Sequence, residues 1–339
     1  MTKRNGIVFV IMLLIGLGIF YWSFRTVNLH EFAQDLRQTN WWWLLVAVGA
    51  MVIYLLLEAV VVKVFVNDAH EKLSWKDAIR VPLVEQFGNG ITPFATGGQP
   101  MQMITMAQAG IDPGRAGSIL LMKFVVYQGM IVVNFILALV IGYQYIADKL
   151  HAWALFVILG FLVHLAVIVG LLLVMYWPAL TNTLVQWLFK PIQRFKPDKA
   201  TAWRETVDAK IVNFHQESVR MSHDWPALWR AIVVTFFQMM VYYLIPYFIL
   251  LGLGVSHVNV ILVTAFHILI VMVISLFPIP GGTGGAEAGF AMLFAQFLPN
   301  AALLVFAMAI WRLITYYMGM FAGILAFSLS ADKIERGKE

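Results

Sequence analysis

The chain has no cysteine among its 339 residues, which excludes a disulfide framework, a thiolate nucleophile and a cysteine-ligated metal. Charge is also scarce. Asp, Glu, Lys and Arg make up 12% of the sequence, about half of what a soluble domain carries. Enzyme signatures are missing as well. Gly281-Gly282-Thr283-Gly284-Gly285 is glycine-rich, but no Gly-Lys-Ser/Thr follows to make a P-loop, and neither a G-x-S-x-G elbow nor a His-pair metal motif occurs. The sequence therefore offers no catalytic residues, no metal site and no cofactor site. Energy from ATP would have to come from another subunit.

Hydrophobic residues fill the chain instead, at 61% with a mean hydropathy of +0.81. Six runs, near 6–24, 41–66, 116–146, 152–176, 231–251 and 301–327, are long enough to cross a hydrocarbon core of about 30 Å. The first follows Lys3-Arg4 and imitates a signal peptide. Its length, and the absence of a small-x-small cleavage pattern before Arg25-Thr26-Val27-Asn28, make it an uncleaved span. Trp41-Trp42-Trp43, Tyr143 with Tyr145, and Tyr176-Trp177 mark span ends, where amphipathic rings prefer the headgroup layer. The expected architecture is all-α, one polytopic membrane domain over 1–339 with no separate soluble catalytic domain.

Two further apolar stretches, about 78–110 and 259–298, are broken in the middle. The first break reads Asn89-Gly90-Ile91-Thr92-Pro93-Phe94-Ala95-Thr96-Gly97-Gly98-Gln99-Pro100, the second Phe277-Pro278-Ile279-Pro280-Gly281-Gly282-Thr283-Gly284-Gly285-Ala286-Glu287. Irregular backbone survives in hydrocarbon only when buried in protein or lining a polar cavity. Each stretch is long enough for two half-helices, so each is expected to be a re-entrant hairpin. Two such breaks in opposite halves point to a transport site near the bilayer midplane.

The positive charge supports this arrangement. With the N-terminus inside and each hairpin returning to its own side, 17 of the 23 basic residues fall inside. These are Lys3, Arg4, Lys72, Lys76, Arg80, Arg115, eight in a cytoplasmic loop at about 177–230, and Lys333, Arg336 and Lys338 of the tail. A single crossing by the first broken stretch would turn that loop outward. The hairpins then enter from opposite faces, both termini are cytoplasmic, and the net charge of +5 reflects topology, not a nucleic-acid partner. Within the loop, 199–221 mixes Trp203, Val207, Ile211, Val212 and Phe214 with Arg204, Lys210 and Arg220. This suits either a solvated connector or a helix lying on the inner leaflet.

Candidate site residues lie at and around the breaks. Thr96-Gly97-Gly98-Gln99 has capping-box spacing, and a half-helix N-terminus there can hold an anion such as a lipid phosphate. Gly97 and Gly98, and the Gly281, Gly282, Gly284 and Gly285 turn, allow backbone to approach a ligand closely. Glu287 falls in the first turn of the outgoing half-helix, where it either stabilises its own dipole or serves as a cation- or proton-responsive group. Glu58, Glu85, Lys123, His164, His267 and Arg312 are the other ionisable residues within apolar segments. Lys123 and Arg312 need partners, for which Glu85 and Glu287 are the leading candidates. Glu85 and Asn89, four apart, share a helix face. His164 and His267 read as satisfied core histidines, and Lys63 as a snorkelling side chain.

The two break motifs, with Trp311-Arg312-Leu313 and Lys123-Phe124, resemble the lysylphosphatidylglycerol synthase transmembrane family. This is the flippase-like membrane domain also found in bacterial multiple peptide resistance factors. The resemblance implies a multi-pass protein of the bacterial cytoplasmic membrane that moves aminoacylated or anionic phospholipids between leaflets. It also implies a link to antibiotic resistance, with membrane phospholipids, another copy of the chain or a lipid-synthesising enzyme as partners. In full-length relatives a tRNA-using aminoacyl-transfer domain follows the membrane part. This chain, ending at Glu339 soon after its last span, is expected to lack it. The activity attached to the family name is that of a phosphatidylglycerol lysyltransferase, for which the residues give no physical support. Relatives often carry an acid where Gln99 stands, which shifts recognition of a cationic headgroup to Glu287 and Glu85. Two other readings stay open: the membrane subunit of a lipid-aminoacylation system, and a scaffold in which the breaks only pack helices.

Overall fold

The computed structural model of the chain describes residues 39–67, 71–177, 179–180, 182–183, 187, 212–298, 300–332 and 335–336. The expected first span at 6–24, and Trp203, Val207 and Ile211 of the expected surface helix, lie outside the described residues. In chain order the helices are α1 (Trp41–Val66), α2 (Trp75–Gly90), α3 (Gly98–Gln108), α4 (Pro113–Tyr176), α5 (212–222), α6 (Trp225–Tyr243), α7 (Ile245–Gly252), α8 (Val260–Ile274), α9 (Gly285–Phe294), α10 (Ala301–Arg312) and α11 (Met318–Ser328). A π-helical turn, Leu313–Tyr317, joins the last two into one span. Apart from a two-residue antiparallel pairing of Glu71–Lys72 with Glu335–Arg336, the described residues are helices and their connections.

Side-chain oxygens cap the helix starts. Asn40, Ser74, Asp112, Asp224, Asn259 and Asn300 each accept a hydrogen bond from a first-turn amide, which matters near a bilayer that offers no water to orphan amides. Among the described residues, five segments are long and apolar enough to cross a membrane: Trp41–Val66, Pro113–Ile141, Leu155–Tyr176, Trp225–Gly252 and Ala301–Ser328. Two of these are arms of α4. Straight, its 64 residues would extend about 96 Å. Yet His164 Nδ1 lies 3.1 Å from Gln128 Oε1 and the Phe135 and Phe161 rings are 5.5 Å apart. The chain therefore doubles back between the arms, as the separate runs at 116–146 and 152–176 require.

The two broken stretches are hairpins. α2 packs on α3 and α8 on α9, and the turns Pro93–Ala95 and Pro280–Gly282 meet. The last span shows that they enter from opposite ends. Its middle touches both tips: Arg312 Nη1 donates to the Gly281 carbonyl at 2.9 Å and the Tyr316 hydroxyl to the Gly90 carbonyl at 2.8 Å. Its start adjoins the end of α9, while its far end meets the base of α2, where Arg80 Nε donates to the Ala326 carbonyl. One hairpin thus opens at one end of this span and the second at the other.

Charge and aromatic rings separate accordingly. The ends of α1 and α3 and the starts of α2, α4 and α6 gather at one face, held by Arg115 to the Val66 carbonyl and Asn213 to Asp112. Lys72, Lys76, Arg80, Arg115, Arg220 and Arg230 sit on the elements at that face. There the Asp332 carboxyl is held below the usual carboxylate range, first by its hydrogen bond from Lys76. Lys63 turns its ammonium to the Leu73 carbonyl and over the Trp75 ring, the expected snorkelling. Exposed Trp41 and Trp42 lie at one end of the spans, and Trp177 and Trp225 at the other, as headgroup-layer rings should.

α11 approaches α2 through Gly319 and Gly323, a small-xxx-small pair that lets backbones come close. A Cβ at Gly323 would stand 2.7 Å from Phe87 Cβ, and one at Gly319 3.2 Å from Gln86 Cβ. Gly323→Val is expected to cost about 1–3 kcal/mol through overpacking and to lower the thermal midpoint in detergent. An unchanged midpoint would show that the contact does not matter.

Candidate functional site

The hairpin tips, α1, both arms of α4, α6 and the last span enclose a cavity of about 350 Å³. Of the residues singled out from sequence, Glu85, Asn89, Gln99, Lys123, Gly281, Gly282 and Arg312 line it. Thr96, Gly97, Gly98, Gly284 and Glu287 stand outside the lining. Gly97 and Gly98 are pressed against the other leg of their hairpin. A Cβ at Gly97 would lie 2.6 Å from the Gly88 carbonyl oxygen, and Gly98 backs onto the Asn89 side chain. Gly284, at φ 90°, has open space where a Cβ would go, so its glycine serves the backbone turn.

The first tip is tied by a residue the sequence reading passed over. The Thr92 hydroxyl donates to the Gly88 carbonyl at 2.8 Å and accepts from the Gly97 amide at 2.7 Å, bridging both legs. The expected capping box does not form. Gly97 occupies the N-cap without a side-chain bond, and the Thr96 hydroxyl donates to the Pro93 carbonyl. Thr96 is spent on the tight turn that Phe94 and Ala95 make, both at positive φ near 54°, which costs each of them about 1–3 kcal/mol.

Two ion clusters face the cavity. In the first, the Lys123 ammonium donates to Glu58 Oε1 at 2.5 Å, Glu85 Oε2 at 2.7 Å and Gln102 Oε1 at 3.0 Å. Glu85 was one of the two leading candidates for a partner, with the pairing left open, whereas Glu58 and Gln102 join it unforeseen. In the second, Arg312 Nε donates to Glu287 Oε1 at 2.6 Å and Nη1 to the Gly281 carbonyl, and the guanidinium lies over the Trp311 and Tyr316 rings. Glu287 Oε2 also accepts from the Gly284 amide at 2.6 Å, so this carboxylate closes the half-helix N-terminus and holds Arg312 at once. Three buried polar atoms on cavity-lining residues have no partner among the described residues: Glu58 Oε2, Arg312 Nη2 and His164 Nε2.

His164 therefore differs from the expectation of a satisfied core histidine, since only Nδ1 is engaged, by Gln128. His267 fits it: Nδ1 meets the Tyr243 carbonyl and Nε2 accepts from the Trp311 indole. Tyr54, Tyr127, Tyr242 and Tyr316 complete the polar wall. Only Tyr316 had a sequence signal, four residues after Arg312 and so on its helix face. No cluster of metal-ligating side chains occurs among the described residues.

Opposed broken hairpins closing on a charged central cavity define a class of polytopic membrane protein whose irregular backbone is hidden at the core. Within it, the chain belongs to the family described as the lysylphosphatidylglycerol synthase TM region, which matches residues 9–323. It is also similar to a UPF0104 membrane protein of Archaeoglobus fulgidus, 26% identical over 311 residues covering 88% of this chain and 89% of that protein.

Proposed function

We propose that the chain moves phospholipid between the leaflets of a bacterial cytoplasmic membrane, as one membrane domain with its basic face inside. The headgroup passes through the cavity and the acyl tails stay in lipid. The observation that carries this is a cavity between opposed hairpin tips holding charge of both signs. Arg312 keeps its Nη2 group for a phosphate oxygen, and Glu58 and Glu85 face it with carboxylates suited to an amine. A space of about 350 Å³ takes a headgroup but not two tails that each reach through half of a core about 30 Å thick. Phe94 and Ile279, 58% and 44% exposed apolar side chains at the two tips, also line it and give the tails an apolar rim. The family name points to lysyl-bearing lipid as one substrate, and to a lipid-synthesising enzyme as a partner.

Leaflet exchange of labelled lipids in liposomes holding the purified protein tests this, with anionic, zwitterionic and lysyl-bearing headgroups compared. Exchange above protein-free vesicles that depends on the headgroup is expected. No exchange with any headgroup, by protein shown to be folded, would sink the reading.

A further inference from the structure

We propose that the Glu58–Glu85–Lys123 cluster is a proton-binding site that holds one proton on its carboxylate pair and releases it when a cationic group enters the cavity. The release rests on the translocation reading above, whereas the proton's presence does not.

The argument starts from donors and charge. An ammonium has three N–H bonds, and Lys123 spends one on each of Glu58, Glu85 and Gln102. It has nothing left for Glu58 Oε2, which is buried without a partner on a residue only 4% exposed. With both carboxylates ionised the cluster carries one uncompensated negative charge. Charge buried that deep costs several kcal/mol, and the two carboxylate oxygens that meet on Lys123 stand within about 5 Å of each other, where like charges oppose double ionisation.

No other base is placed to cancel the excess. Arg312, across the cavity, is engaged by Glu287, and His164 is turned to Gln128 through Nδ1. The remaining titratable side chains facing the cluster are tyrosines: Tyr54 from α1, Tyr127 from α4, Tyr242 from α6 and Tyr316 from the last span. His267 lies one ring behind, stacked on Tyr242 at 4.9 Å. The cluster is one positive charge short.

A proton fits the deficit better than a metal ion. Lys123 already stands between the carboxylates, repelling a second cation and filling the point where their oxygens converge. A proton needs one lone pair, which Glu58 Oε2 offers, and gives that carboxyl a donor. When an amine-bearing headgroup enters, its ammonium supplies the missing charge. The carboxyl O–H then breaks, the proton passes to water, and the carboxylate pairs with the amine.

Infrared difference spectroscopy on the purified protein reads the proton directly, through the C=O stretch of a protonated carboxyl. The wild type should show this band at neutral pH and lose it as pH rises. Glu58→Gln and Glu85→Gln each leave one carboxylate against one ammonium, so the band should vanish in both. Two variants guard against one that does not fold. Glu217→Gln, in an ion pair with Arg220 outside the cavity, should keep it. No band in the wild type at neutral pH, a band indifferent to both cluster variants, or one bleached by Na⁺ at fixed pH would overturn the site. Adding lysyl-bearing lipid should weaken the band, and an unaltered band would overturn the coupled release. A clear band without leaflet exchange would sink only the translocation reading, and exchange without a band only this one.

Discussion

Replacing Lys123 with methionine is expected to destabilise the protein by about 3–5 kcal/mol, the usual cost of leaving a buried charge without its partner. The size follows from geometry. One ammonium serves Glu58, Glu85 and Gln102 on three different helices, so its loss strands the acid pair without a counter-charge and loosens α1, α2 and α3 from α4. Thermal unfolding in detergent should show a large fall in midpoint. The triple variant Lys123→Met with Glu58→Gln and Glu85→Gln removes the stranded charges and should recover much of the loss. A single variant as stable as wild type would mean that the cluster is not closed as described.

Arg312→Lys should matter nearly as much, though it conserves charge. The guanidinium uses two fixed N–H directions, to Glu287 and to the Gly281 carbonyl, and lies over two rings. An ammonium cannot reproduce that planar fork, since its three N–H bonds diverge from one nitrogen where the guanidinium spreads five over three. Leaflet exchange is expected to drop at least about tenfold, equivalent to about 1.4 kcal/mol, while the protein stays folded because Glu287 keeps both the Gly284 amide and a cation. Arg312→Gln should drop exchange further and also lower the thermal midpoint, since Glu287 then loses its counter-charge. Wild-type exchange from Arg312→Lys would show that Arg312 acts only as a bulk positive charge.

Much of this fold was legible because hydrocarbon enforces simple rules. Span length, basic loops and Gly/Pro breaks translate directly into crossings and tips, so 41–66 and the broken stretches read correctly from residue types. Opposite charges in separate apolar segments must meet, which pointed to Glu85 and Glu287 as partners for Lys123 and Arg312 without saying which acid meets which base. What stayed hidden depends on helix rotation. Glu58 is the one acid in its span, but nothing in its neighbours says that it faces Lys123 and not another cation. Gln102, Tyr54 and Tyr127 are neutral and leave no electrostatic trace. Thr96 misled because capping-box spacing does not reveal which turn the chain takes first. The Phe94–Ala95 turn claims its hydroxyl, and Thr92, before the proline, does the bridging. The glycines misled for a related reason: Gly97 and Gly98 let two legs of one hairpin touch, which needs the same lack of a side chain as cradling a ligand.

The π-helical turn at Leu313–Tyr317 has a mechanical consequence. An α-helix presents one stripe to its neighbours, but the extra residue in this turn rotates everything after it. Arg312, before the turn, grips one hairpin. Gly319 and Gly323, after it, are wedged against the other, and Tyr316 in the turn reaches that second tip. The last span is therefore geared to both tips at once. Sliding or twisting it by a fraction of a turn disturbs both seats together, so, like lobes on one camshaft, the two seats cannot be set independently.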